Sequence, residues 1–139
     1  SSGRRSRRPG HVDAHLVEPR ARRDEERAAI HVVGGYPVTP AGEAEVVAFM
    51  AGFRKEDPFF WVFTSVLQFQ VGLRISPFSK GIAGQIDPRS YMAHHRRGAR
   101  VSCDLSRDWD FREDFAVPLA DLRRRFAVPP LDELYAPTR

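Results

Sequence analysis

An uncharged stretch from Phe59 to Leu73, reading FFWVFTSVLQFQVGL, constrains the fold of this chain more than any other feature. It follows Asp57-Pro58, a pair typical of a helix start, and it ends before Arg74. No other part of the 139-residue chain gathers as many aromatic and aliphatic side chains, and the flanking regions are rich in arginine and proline. Such a stretch favours burial, either in the core of this chain or against a membrane or a partner.

Three interpretations of this stretch compete. As a transmembrane helix over 58–75, it would place small and polar side chains on one face and aromatic ones on the other, as helices packed in a bilayer do. That polar face is predicted to pack against partner subunits, and it consists of Trp61, Ser65, Gln68 and Gly72. Because about 20 apolar residues usually span a bilayer, a shorter buried helix of a soluble domain is the second interpretation. The third is a half-buried strand, since residues 67–75 alternate between apolar and polar or small positions.

A second helix is predicted just before this stretch, from about 40 to 54. Thr39 is a typical N-cap residue, and Pro40 suits the first helical position. Apolar side chains then recur at helical spacing, so one face of this helix is apolar. They are Val46, Phe49, Met50 and Phe53.

Together these elements predict a mostly α chain with extended, proline-rich arms, in which an amphipathic helix precedes one apolar helix. Three regions follow: a basic extended N-terminal arm at 1–38, a two-helix segment at 39–76 that includes the apolar helix 58–75, and a basic loop with a proline-rich C-terminal arm at 77–139. The last arm carries the near-repeat Phe-Ala-Val-Pro at 115–118 and 126–129, which we interpret as apolar anchors for a neighbour. The prediction is a non-globular subunit of a larger assembly.

No residue pattern in the sequence indicates catalysis. Cys103 is the single cysteine, so neither an internal disulfide nor a cysteine-based zinc cluster can form within this sequence. His11 and His15 have the spacing of a metal-binding pair on a helix but lack the glutamate of a zinc-protease motif. We therefore expect no catalytic residue, no metal site and no cofactor, and we expect that the chain is not an enzyme.

A basic group lies in the loop-like region after the apolar stretch. Its side chains are predicted to bind an anionic lipid headgroup or an RNA phosphate, with a solvated loop as the alternative. The residues are His94, His95, Arg96, Arg97 and Arg100.

The overall layout is similar to that of supernumerary subunits of mitochondrial inner-membrane complexes. The acid-free, arginine-rich segment 1–10 is typical of a processed transit peptide, with an unstructured tail as the alternative. These features predict a non-catalytic accessory subunit that stabilises an electron-transport complex of the respiratory chain or an ATP synthase, at the mitochondrial inner membrane or a plastid membrane. Its partners would be the other subunits and anionic lipid. The alternatives are a peripheral protein of an organellar ribosome that binds rRNA, and a small soluble α+β domain.

Overall fold

The computed structural model describes residues 14–56, 58–73, 83–84 and 86–135. Within these ranges the chain forms five α-helices, one π-helix, two short 3-10 helices and no strand, so the prediction of a mostly α chain is confirmed. The α-helices are α1 (Ala14–Gly34), α2 (Pro40–Phe53), α3 (Pro58–Ser65), α4 (Pro88–Ala99) and α5 (Leu119–Arg125). The π-helix is Val66–Gln70, and the 3-10 helices are Phe111–Asp114 and Leu131–Glu133.

The uncharged stretch forms a shorter helix than the predicted 58–75. Among the described helices, none is long and apolar enough to cross a membrane. After α3 the hydrogen bonding loosens into the π-helix, and the Val71 amide donates to the Val66 carbonyl at 3.1 Å. Gly72 then adopts a φ of +83°, a left-handed conformation that commonly ends helices. The strand alternative is wrong for 67–73, and 74–75 lie outside the described residues.

Two of the three described helices that begin with proline, α2 and α4, share one capping device. The Thr39 hydroxyl accepts a hydrogen bond from the Gly42 amide at 3.1 Å, so α2 begins as predicted. The Asp87 carboxylate accepts one from the Arg89 amide at 3.1 Å and caps α4 in the same way. The prediction of a loop in this region is wrong at α4, although Asp87-Pro88 carries the start signal that had been recognised at Asp57-Pro58.

Helices α2 and α4 approach each other through glycine. A Cβ atom added to Gly98 would lie 1.9 Å from the Phe49 carbonyl oxygen, and one added to Gly52 would lie 2.1 Å from the His95 carbonyl oxygen. No side chain fits between the two backbones at this crossing. The close contact fixes α4, and therefore the predicted basic group, against the middle of the chain.

One apolar core joins regions that the sequence assigned to separate arms. Its buried members are Ile30, Val33, Tyr36, Val46, Phe49, Phe53, Val101, Leu105, Leu122, Phe126 and Val128. They come from α1, α2, α5 and the segments between and after them. The described parts of the predicted N-terminal and C-terminal arms therefore pack on α2, so the description of this chain as non-globular does not hold for them.

Candidate functional site

The polar face of the uncharged stretch points toward the rest of the chain. Ser65 is 1% exposed, and its hydroxyl donates to the Trp61 carbonyl at 2.6 Å and accepts from the Tyr91 hydroxyl at 3.2 Å. Gln68 is also buried, and the Trp61 ring lies under the Arg54 guanidinium at 3.7 Å. In the isolated chain, the α4 residue Tyr91 thus covers part of the face that was assigned to partners.

Gly72, the fourth residue of that face, lies beside another segment of the chain. A Cβ atom added to it would be 3.3 Å from the Ala83 side chain. The partner-packing role of these four residues stays a prediction, and the surface they offer in the isolated chain is small.

The opposite side of the stretch is the exposed one. We call it the aromatic face, and its residues are Phe60, Phe63, Val66, Val71 and Leu73. Phe60 is 57% exposed and Phe63 is 50% exposed, although both are large apolar side chains. An apolar surface of this kind usually marks a site of interaction with another molecule.

The predicted basic group does not form one cluster, because Arg97 is buried. Its Nε donates to the Pro129 carbonyl at 2.7 Å, and one terminal nitrogen donates to the Gly34 carbonyl and to the Tyr36 hydroxyl, both at 2.8 Å. The guanidinium also lies 5.0 Å from the centre of the Phe49 ring. Arg97 therefore joins three segments of the chain, and its hydrogen bonds are directed inward.

His94 extends this buried network. Because Arg97 can only donate, the Tyr36 hydroxyl accepts from Arg97 and directs its own proton to His94 Nδ1, 2.9 Å away. The His94 proton then lies on Nε2, which is 3.8 Å from a Glu45 carboxylate oxygen. Burial and the neighbouring Arg97 charge lower the pKa of His94 to about 4, so His94 is neutral at pH 7. Burial also raises the pKa of Tyr36 to about 12.

This lowered pKa predicts a pH-dependent stability. In the unfolded chain a histidine has a pKa of about 6.5, whereas folded His94 has a pKa of about 4. Between these pH values the unfolded chain binds a proton at this residue and the folded chain does not, so the free energy of unfolding falls as pH drops from about 6.5 toward about 4. Between pH 7 and pH 5 the loss is about 2 kcal/mol. Urea unfolding at both pH values measures it. The variant His94→Gln should lose that part of the pH dependence, and an unchanged dependence would contradict the assignment.

The other members of the basic group remain near the surface. Arg96 and Arg100 are exposed, His95 is half-buried, and an Arg100 terminal nitrogen lies 3.8 Å from a Glu133 carboxylate oxygen. Burial and the nearby Arg96 charge lower the pKa of His95. Two arginines therefore remain as the exposed charges of this group, while His94 and Arg97 belong to the interior.

The sequence reasoning did not identify an apolar cleft of about 730 Å³ between α1 and residues 109–122. We call it the apolar cleft. The Phe-Ala-Val-Pro repeat was its partial signal, because Phe126 of the second copy is buried in the core while Phe115 of the first is 81% exposed at the cleft. Its lining residues are Glu25, Ala28, Ala29, Val32, Val33, Trp109, Phe111, Arg112, Asp114, Phe115, Val117, Leu119 and Leu122.

A second, smaller pocket of about 290 Å³ lies near the start of α4. Its polar residues include Glu45, Asp87 and Ser90, and burial raises the pKa of Glu45.

Throughout the described ranges, no group of three or more histidine, cysteine or acidic side chains could hold a metal ion. Of the predicted metal-binding pair, His11 lies outside the described residues, and so does the side chain of His15.

No protein-family model matches the chain, and no significant similarity to a curated protein or to a solved structure was found.

Proposed function

We propose that this chain is a non-catalytic accessory subunit of a mitochondrial inner-membrane complex, of the respiratory chain or an ATP synthase, and that it binds the complex through its aromatic face. The observation that carries the proposal is the exposure of Phe60 and Phe63, at 57% and 50%, on a helix whose polar side is already covered. The sequence layout supplies the type of assembly.

The energetics favour docking of this face. Burying one large apolar side chain contributes about 1.5–3 kcal/mol, so several on one surface supply much of the free energy of an interface. The inward contacts of Ser65 also fix the direction in which Phe60 and Phe63 point. The partner therefore meets a surface that is arranged before binding, which lowers the entropic cost of association.

The proposed mode of binding differs from a membrane span. The aromatic face would lie against an apolar surface of a neighbouring subunit, and the chain would stabilise the complex because it binds the assembled state. Ser65 and Gln68 would then support the interface from behind, and direct contact with the partner would come from Phe60 and Phe63.

The test is incorporation into the complex. Wild-type chain is expected to migrate with a large complex on native gels after gentle detergent solubilisation of the organelle fraction. The double variant Phe60→Ser, Phe63→Ser should shift to a small free species. Each phenylalanine has about half of its surface left to bury, so the interface loses about 1.5–3 kcal/mol. Val38→Ser removes an apolar side chain that is 84% exposed but lies outside the aromatic face, and it should leave incorporation unchanged.

Two outcomes would count against the proposal. Wild-type chain that migrates as a small free species would exclude the accessory-subunit role and favour the soluble-domain alternative. Salt-dependent release from a ribosome-sized particle would favour rRNA binding, because phosphate contacts weaken steeply as salt rises. In that case Arg96 and Arg100 would be the first arginines to replace, since both are exposed.

A further inference from the structure

The apolar cleft has the size and composition of a ligand site. Its volume of about 730 Å³ lies within the range of about 300–1,000 Å³ that small-molecule sites occupy. The buried side chains of Val33 and Leu122 lie at its base, and the exposed side chains of Val32 and Phe115 lie at its edge. Large apolar side chains thus surround an open space and remain in contact with water. An apolar ligand that filled this space would remove them from water, which is favourable.

The aromatic wall of the cleft is held in place without an occupant. Trp109 Nε1 donates to the Asp114 carboxylate at 2.8 Å, and the Trp109 ring packs edge-on against Phe126 with centres 5.3 Å apart. Phe111 lies between Trp109 and Phe115, with ring centres 6.3 Å and 5.9 Å away. Because these contacts fix the wall in advance, little order has to be gained on binding.

The charged side chains that line the cleft are already paired within the chain. A terminal nitrogen of Arg112 lies 2.7 Å from a Glu25 carboxylate oxygen, and Arg125 pairs with Asp114. Hydrogen bonds from Trp109 and Arg125 lower the pKa of Asp114, so it stays ionised and engaged. A charged group that entered the cleft would therefore find its lining charges already engaged, whereas a neutral ligand needs no charged partner.

The backbone next to the cleft is also satisfied. The Val32 and Val33 carbonyls near the end of α1 accept hydrogen bonds from Arg123 at 3.1 and 2.9 Å. An extended peptide in the cleft would bury amides without new partners, which is unfavourable. A hydrocarbon chain has no polar atoms along its length and needs no such partner.

We propose that the apolar cleft binds the hydrocarbon chain of a neutral lipid. This site is separate from the aromatic face, and the proposal does not depend on the proposed function. Binding would bring the hydrocarbon chain of the lipid into contact with Val32, Trp109 and Phe115. The ion pair between Glu25 and Arg112 would stay intact.

The test uses Trp109 as a reporter. The chain has two tryptophans, so the variant Trp61→Phe leaves Trp109 as the single tryptophan, which can be excited apart from the three tyrosines. Titrating this purified variant with a long-chain alcohol brominated along its chain should give saturable quenching, because bromine quenches an indole in contact with it. The brominated carboxylic acid of equal length should bind no more tightly than the alcohol.

A matched pair of valine variants locates the binding site. In the Trp61→Phe background, Val32→Asp places a charge in the cleft and should raise the half-saturating alcohol concentration at least about tenfold. Val38→Asp makes the same change at a residue that is 84% exposed and does not line the cleft, so binding should be unchanged. Val32 is itself 60% exposed, so neither variant is expected to unfold the chain.

Three outcomes would overturn the proposal. Quenching that does not saturate, or that is equal in the two aspartate variants, would show that the alcohol does not bind in the cleft. Carboxylic acid that binds more than about tenfold more tightly than the alcohol would show an anion site, contrary to the paired charges. Loss of complex incorporation in Val32→Asp, without any alcohol binding to wild-type chain, would show that the cleft takes a protein segment.

Discussion

Replacing Arg97 with methionine is expected to lower the free energy of unfolding by about 3–5 kcal/mol. Methionine fills most of the same space but donates no hydrogen bond. The Gly34 and Pro129 carbonyls and the Tyr36 hydroxyl would then lose a donor inside the protein, and each unpaired buried group costs about 1–3 kcal/mol. Urea unfolding followed by far-ultraviolet circular dichroism measures the difference.

The adjacent residue supplies the control for this experiment. Arg96 is exposed, so Arg96→Met should change stability by no more than about 0.5 kcal/mol. Both variants remove one positive charge from α4, and any difference between them must come from burial. Equal stabilities would mean that the inward hydrogen bonds of Arg97 do not hold the chain together.

The second large effect is expected at the crossing of α2 and α4. Gly98→Ala should destabilise the chain by about 2–4 kcal/mol, because the new methyl group would overlap the Phe49 carbonyl oxygen, 1.9 Å away, and the two backbones would have to separate. In most helices the same replacement raises stability by about 1 kcal/mol through helix propensity. The sign of the change therefore identifies the close contact.

Ala99 provides the matched position for that variant. It is exposed and follows Gly98 directly, so Ala99→Gly should cost at most about 1 kcal/mol through backbone freedom alone. Thermal unfolding of both variants beside wild type compares them. A Gly98→Ala protein that is more stable than wild type would show that the helices are farther apart than described.

Local signals in the sequence were sufficient for some helices and not for others. Helix α2 was predictable because Thr39-Pro40 marks its start and its apolar residues recur at helical spacing. Helix α4 was not, because its buried side includes Tyr91, His94 and Arg97, which read as polar positions. Their partners are far away in the sequence, as Tyr36 is from Arg97, and a local pattern contains no information about them.

The candidate sites illustrate the same limit. The two faces of the uncharged stretch could be separated by helical spacing, but which face points inward depends on Tyr91, a residue of another helix. The apolar cleft is lined by α1 and by residues 109–122, which belong to different regions of the predicted chain. Of its lining residues, Phe115 and Val117 had been placed in the Phe-Ala-Val-Pro repeat beforehand.

Two arginines hold the end of α1 through its main chain. Arg97 donates to the Gly34 carbonyl, and Arg123 donates to those of Val32 and Val33, which are among the last carbonyls of the helix. The Val32 carbonyl also accepts from the Gly35 amide at 3.2 Å. A carbonyl is the same in every residue, so these hydrogen bonds do not depend on which side chain stands at position 32, 33 or 34. Paired substitutions in an alignment would therefore not reveal these contacts, although both arginines hold the same helix end.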